Sequence, residues 1–100
     1  MLNGQEEKKV KELVEICKKY QGEYRLADHG SGSWATTYSN EFISAATQIY
    51  DIYKQAGSPS PMWRLSQALR NAGVRSCRGA EMNIDKTKYL YETHLRENLS

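Results

Sequence analysis

The sequence predicts a mainly all-α single domain, residues 1–100, of three to four helices, with a helix-turn-helix-like C-terminal half and room for a small wing or short hairpin. Three observations lead there. Apolar residues recur at helical spacing in four stretches: Val10, Leu13, Val14 and Cys17; Phe42, Ala45, Ala46 and Ile49; Met62, Leu65 and Leu69; and Leu90, Tyr91 and Leu95. Gly22, Gly57 and Gly73 follow the first three, where a left-handed cap favours a residue without Cβ. With 39% hydrophobic and 26% charged residues in 100, the composition is that of an ordinary globular chain with one modest core.

Taken in order, residues 5–20 form an amphipathic helix with Glu and Lys on its remaining faces. Gly22 to Ser39 has no sustained period and holds Gly30, Gly32 and several Ser and Thr residues, so it reads as an ordered loop with room for an extended piece around Trp34–Tyr38. Ser39 or Asn40 caps a helix over Glu41–Ala56, whose stripe also includes Ile52, Tyr53 and Ala56. Gly57 stops it. Ser60 then acts as N-cap to a helix over Pro61–Ala72, with Pro61 at the first position, where its missing N–H costs nothing. Residues 74–83 read as a turn or small wing tied down by Val74 and Met82. Asp85 caps a last helix reaching about Asn98, to which Ile84, Leu90, Tyr91, Leu95 and Leu99 contribute apolar surface.

Several function classes are set aside on residue pattern. No apolar stretch approaches the roughly 20 residues that span a bilayer, and the first residues are polar and acidic, without the basic start and apolar middle of a signal peptide. The expectation is a cytoplasmic protein without membrane contact. Cys17 and Cys77 give no disulfide framework and read as free thiols. A zinc site would need Cys17, His29, Cys77 and His94, of which no two have close ligand spacing, so neither metal nor cofactor is expected. Asp28, His29, Ser31 and Ser33 hold the residue types of a hydrolase triad, but as neighbours in one loop rather than partners brought from distant positions. Turn chemistry accounts for them, and no enzyme is expected.

Charge distribution points toward binding. The overall charge of +2 is modest, yet residues 1–59 carry seven Lys/Arg against eight Asp/Glu, whereas residues 60–100 carry seven against four. Within 60–80 stand Arg64, Arg70, Arg75 and Arg78 with no acid. Guanidinium forks suit phosphate or carboxylate recognition because they donate two parallel hydrogen bonds.

The stretch from Gly57 to Leu95 resembles the DNA-binding segment of large serine recombinases. There a helix ends in Gly-Ile/Val, a Thr/Ser-basic-Gly loop follows, a large apolar residue anchors it, and another helix packs behind. Leu65 and Leu69 match the helix core, Gly73-Val74 the turn, Ser76 and Gly79 the loop, Met82 the anchor, and Leu90 the next helix core. The resemblance covers under two-fifths of the chain. Met82 replaces the usual aromatic, Thr87 a more apolar residue, and there is no room for the recombinase catalytic domain. What the resemblance implies is a helix-turn-helix-like fold for DNA without recombinase chemistry.

The expected function is therefore a small sequence-selective DNA-binding protein, a regulator or accessory factor of a phage, plasmid or other mobile element. Double-stranded DNA is its partner, and a homodimer would form through helix 5–20. Arg64 and Arg70 on the helix, with Arg75 and Arg78 in the loop, are the phosphate contacts; Lys86, Lys88, Tyr89 and Arg96 on the last helix face the major groove. The alternative is a protein-binding inhibitor or adaptor whose contact surface is loop 22–39, with Tyr24, Arg25, Trp34 and Tyr38, since Tyr, Trp and Arg concentrate interface energy.

Overall fold

The computed structural model describes residues 2–21, 25–28, 34–76 and 80–96, with backbone only for 25–28 and 34–37. Its order is helix α1 (Gly4–Tyr20), strands β1 (Arg25–Asp28) and β2 (Trp34–Thr37), then helices α2 (Asn40–Gln55), α3 (Pro61–Asn71) and α4 (Ile84–Leu90). A π-helical turn, Tyr91–Leu95, continues α4. The protein is mainly all-α.

Side chains that accept the first free amides mark three of the helix starts. Asn3 Oδ1 accepts from the Glu6 amide at 2.8 Å while Glu6 Oε1 accepts from the Asn3 amide at 3.0 Å, a reciprocal capping box. Glu6 and Glu7 open α1, and Lys18 and Lys19 close it, which suits the helix dipole at both ends. Ser39 Oγ caps α2 through the Phe42 amide at 3.2 Å. Asn83, rather than Asp85, caps α4, because its Oδ1 reaches the Lys86 amide at 2.9 Å and leaves Asp85 inside the first turn. At α3 the Ser60 side chain makes no capping bond; Pro61 supplies the start by removing one free amide.

The ends of α2 and α3 share one device. Gly57 and Gly73 have φ of 81° and 77°. At the first, the Ser58 amide donates to Tyr53 O and the Gly57 amide to Lys54 O; at the second, Val74 donates to Leu69 O and Gly73 to Arg70 O. Both are Schellman caps, each satisfying two carbonyls that the helix leaves open.

The core lies where α1 packs on α2, α2 on α3 and α3 on α4. Leu13, Phe42, Ile49, Leu65, Leu69, Met82, Leu90 and Leu95 are among its most deeply buried side chains. Val74 and Met82 anchor the α3–α4 connection as expected. That connection is drawn together by an antiparallel bridge between Arg75 and Glu81, a 2.7 Å bond from the Ser76 amide to Ala80 O and a 3.1 Å bond from the Ala80 amide to Ser76 Oγ.

Three expectations are revised. In the stretch read as a loop, the extended piece expected around Trp34 is strand β2, and it pairs with an unexpected strand β1, antiparallel with Arg25 opposite Thr37 and Asp28 opposite Trp34. Strands of four residues each are too short to show a period. Ile84 is not core: it is 41% exposed, and Thr87 takes the inward position, its hydroxyl donating to Asn83 O at 2.8 Å. That bond lets a polar residue stand where an apolar one was expected. Finally, the last helix changes from α to π geometry at Tyr91, and the part of it expected beyond Arg96, including Leu99, lies outside the described residues.

Candidate nucleic-acid interface

On α3 the buried stripe of Leu65, Ser66 and Leu69 turns the opposite side outward. At about 100° per residue, Trp63 falls roughly 100–160° away from Met62, Leu65 and Leu69, and it is 47% exposed. The Arg64 guanidinium lies 5.2 Å from the centre of its ring, within range of a cation–π contact. Arg64 also borders a groove of about 690 Å³ formed with Glu7, Lys8, Val10, Lys11 and Tyr53. Burial holds the Tyr53 hydroxyl above its ordinary pKa, with Arg64 opposing the rise and Glu7 adding to it.

Arg70 and Arg75 come together around one acid. Arg70 Nε stands 2.8 Å from Glu81 Oε1, with the two side chains 52% and 61% exposed. An ion pair this open contributes at most about 1 kcal/mol. Arg75 is exposed and lies opposite Glu81 in the bridge, and its backbone amide donates to Gln21 Oε1 at 2.6 Å, tying the connection to the end of α1. Arg78 lies outside the described residues.

On α4 Lys88 is exposed, Lys86 is half-buried, and Tyr89 is 64% exposed, on the side away from buried Leu90 and Leu95; Arg96, just after the π-helical turn that continues α4, is exposed as well. The outward face is mixed in charge, since Asp85 and Glu92 are exposed on it beside Lys88 and Arg96. Arg64 thus stands toward α1, Arg70 and Arg75 meet at Glu81, and the α4 cations are interleaved with carboxylates.

For the alternative surface, Tyr38 is corrected from contact residue to core. It is buried, stacks on Phe42 with ring centres 4.7 Å apart, meets the edge of His94 at 6.1 Å, and directs its hydroxyl at Met82 Sδ at 3.8 Å. Chain entering α2 must cover the Phe42 end of the core, and Tyr38 does so. Tyr24 lies outside the described residues, and for Arg25 and Trp34 only the backbone is described. His29, Ser31, Ser33 and Cys77 also lie outside them. Cys17 is fully buried, and burial raises its thiol pKa to about 12, which makes it a packing residue rather than a nucleophile.

Sequence reasoning missed Trp63 and Glu81. Trp63 was detectable, because a tryptophan off the apolar stripe of its own helix must face outward. Glu81 stands one residue beyond the acid-free run, and only the fold of the connection brings it back onto Arg70. Among the described residues no three His, Cys, Asp or Glu side chains gather as a metal site, and no helix is long and apolar enough to cross a membrane. Comparison with protein-family models, curated proteins and solved structures finds no match to this chain.

Proposed function

We propose that this chain is a small sequence-selective DNA-binding protein, a regulator or accessory factor of a mobile element. The observation that carries the reading is the surface running from α3 into the connection. Arg70 and Arg75 are exposed there and Arg64 is partly exposed; Glu81 pairs with Arg70 and lies opposite Arg75 in the backbone bridge. Surface guanidiniums on a short, well-anchored segment can contact phosphates at fixed spacing, which sets the register of a protein on a duplex. Arg78, Lys86, Lys88 and Arg96 are the other cations of the proposal, Arg78 lying outside the described residues. The mobile-element origin rests on the resemblance to the recombinase segment.

The test is binding of the purified protein to random duplex DNA at low and moderate salt, beside an Arg75→Glu/Arg78→Glu variant whose fold is checked by circular dichroism. Seven candidate cations bound the slope of log K against log salt at about −6. The expected result is steep salt dependence in the parent and a slope smaller by about 2 or more in the folded variant. Absence of binding at low salt would sink the proposal and direct attention to a protein partner for residues 22–39.

A further inference from the structure

The geometry points to α3, rather than the last helix, as the element that enters the major groove, with Gln67 and Asn71 reading base edges; this rests on the DNA-binding reading above. The eleven residues of α3 include no acid. Trp63, Arg70 and Asn71 are exposed on its outward side, and Gln67 and Arg64 are half-buried there. On a helical wheel Gln67 lies about 60° from Arg64 on one side and about 60° from Arg70 on the other, with Trp63 and Asn71 each about 40° from Gln67. A strip of amide and indole groups is therefore bordered by a guanidinium on each side. That is the arrangement a reading helix needs, with amides toward the bases and cations toward the two phosphate backbones.

The flanks continue beyond α3. On the Arg64 side the groove adds Lys8 and Lys11 beside the carboxylate of Glu7; on the Arg70 side the connection adds Arg75 and one exposed carboxylate, Glu81, paired with Arg70. Neither the Gln67 nor the Asn71 side-chain amide has a hydrogen-bond partner among the described residues, so both are free to form the bidentate pair with adenine that Gln and Asn make. They sit four residues apart, a rise of about 6 Å, just under two base-pair steps of about 3.4 Å. An eleven-residue helix is about 16 Å long, enough to follow a groove about 12 Å wide.

Connectivity agrees. Five residues, 56–60, join α2 to α3 around the left-handed Gly57, whereas twelve, 72–83, join α3 to α4. The short join is closer to the three- to four-residue turn of a helix-turn-helix, in which the second helix reads the groove. The outward face of α4, in contrast, would bring Asp85 and Glu92 toward phosphate.

The experiment is selection of preferred duplexes from a random pool with the full chain, followed by binding of the selected site and its single-base-pair variants. It compares the parent protein with Gln67→Ala, Asn71→Ala and a Lys88→Ala/Tyr89→Ala double variant. All four side chains reach the surface, so folding is expected to survive and is checked by circular dichroism. Gln67→Ala and Asn71→Ala are each expected to lose discrimination, roughly tenfold or more, at one or two neighbouring base pairs, with unchanged affinity for unselected DNA. The α4 variant is expected to bind every duplex more weakly, having lost a phosphate contact, and to keep the parent's order of sequence preference; loss of that preference in the α4 variant alone overturns the inference. Retention of full preference by both amide variants overturns the inference. So does a parent protein that binds duplex with no preferred sequence, though DNA binding itself then stands; a parent that binds no duplex at low salt brings down both.

Discussion

Helices α3 and α4 are neighbours with similar exposure and opposite surface character. Both bury a narrow stripe, Leu65, Ser66 and Leu69 on one and Thr87 and Leu90 on the other. Both carry an exposed aromatic, Trp63 or Tyr89, next to cations. Yet the outward side of α3 draws on no carboxylate of its own, while that of α4 alternates Asp85 and Glu92 with Lys88 and Arg96. A count of charges along the chain places the cations of the two helices in one basic half. The fold sorts them by face, and it is the face that a partner meets.

The largest expected effects on the two helices are in stability. Leu69→Ala removes a fully buried side chain from α3 and is expected to cost about 2–5 kcal/mol, read as a fall in urea midpoint. Thr87→Val on α4 exchanges the bond to Asn83 O for a methyl group and is expected to cost about 1 kcal/mol. A loss at Leu69 no larger than that at Thr87 would mean that the core closes over the space Leu69 leaves.

A second effect tests the packing of α1 on α2. The Cys17 thiol has its folded pKa raised from 9.0 to about 12 by burial, so the unfolded chain ionises first. The stability this represents is fully present below pH 9 and is lost as pH rises toward 12, about 1 kcal/mol of it by pH 10. Urea midpoints at pH 8 and pH 10 for the parent and Cys17→Ala check the sign: the parent should lose more across that interval. An equal loss in both would show that the alkaline effect arises elsewhere.

Smaller effects belong to the ends and surfaces. Gly73→Ala meets open space but keeps a φ of 77°, so the expected cost is about 1 kcal/mol from backbone strain alone, measured by the same denaturation. The Arg70–Glu81 pair, examined by a double-mutant cycle to alanine, should show a coupling below about 1 kcal/mol that fades with added salt. Lys88→Ala and Tyr89→Ala on α4 should leave stability within about 0.5 kcal/mol of the parent. A coupling of several kcal/mol at Arg70 would mean that α3 is held by its surface as well as by its core.

Much of the fold was legible because its signals are local. The stripe from Val10 to Cys17, Ser39 before α2, and the glycines after α2 and α3 each set one boundary through interactions spanning a few residues. Legibility stopped where the deciding contact is distant. Tyr38 looked like surface because its neighbours are polar, and its burial depends on Phe42, Met82 and His94. Asn83 outcompetes Asp85 as a cap once Met82 is fixed in the core one residue earlier. The four-residue strands carry too few alternations to announce themselves. At the candidate site the arginines were visible as residue types, but their grouping was not. Which of them stand together depends on helical phase and on a connection that folds Glu81 back against Arg70.

That contact between Arg70 and Glu81 has an electrolyte consequence. A phosphate arriving at Arg75 would release a counterion to the solution, and mass action then makes the association sensitive to salt. One arriving at Arg70 would release the same counterion from the duplex, but it must also part the guanidinium from Glu81, 2.8 Å away. Arg70 is therefore the weaker of the two contacts at a given ionic strength, while both carry the same dependence on salt.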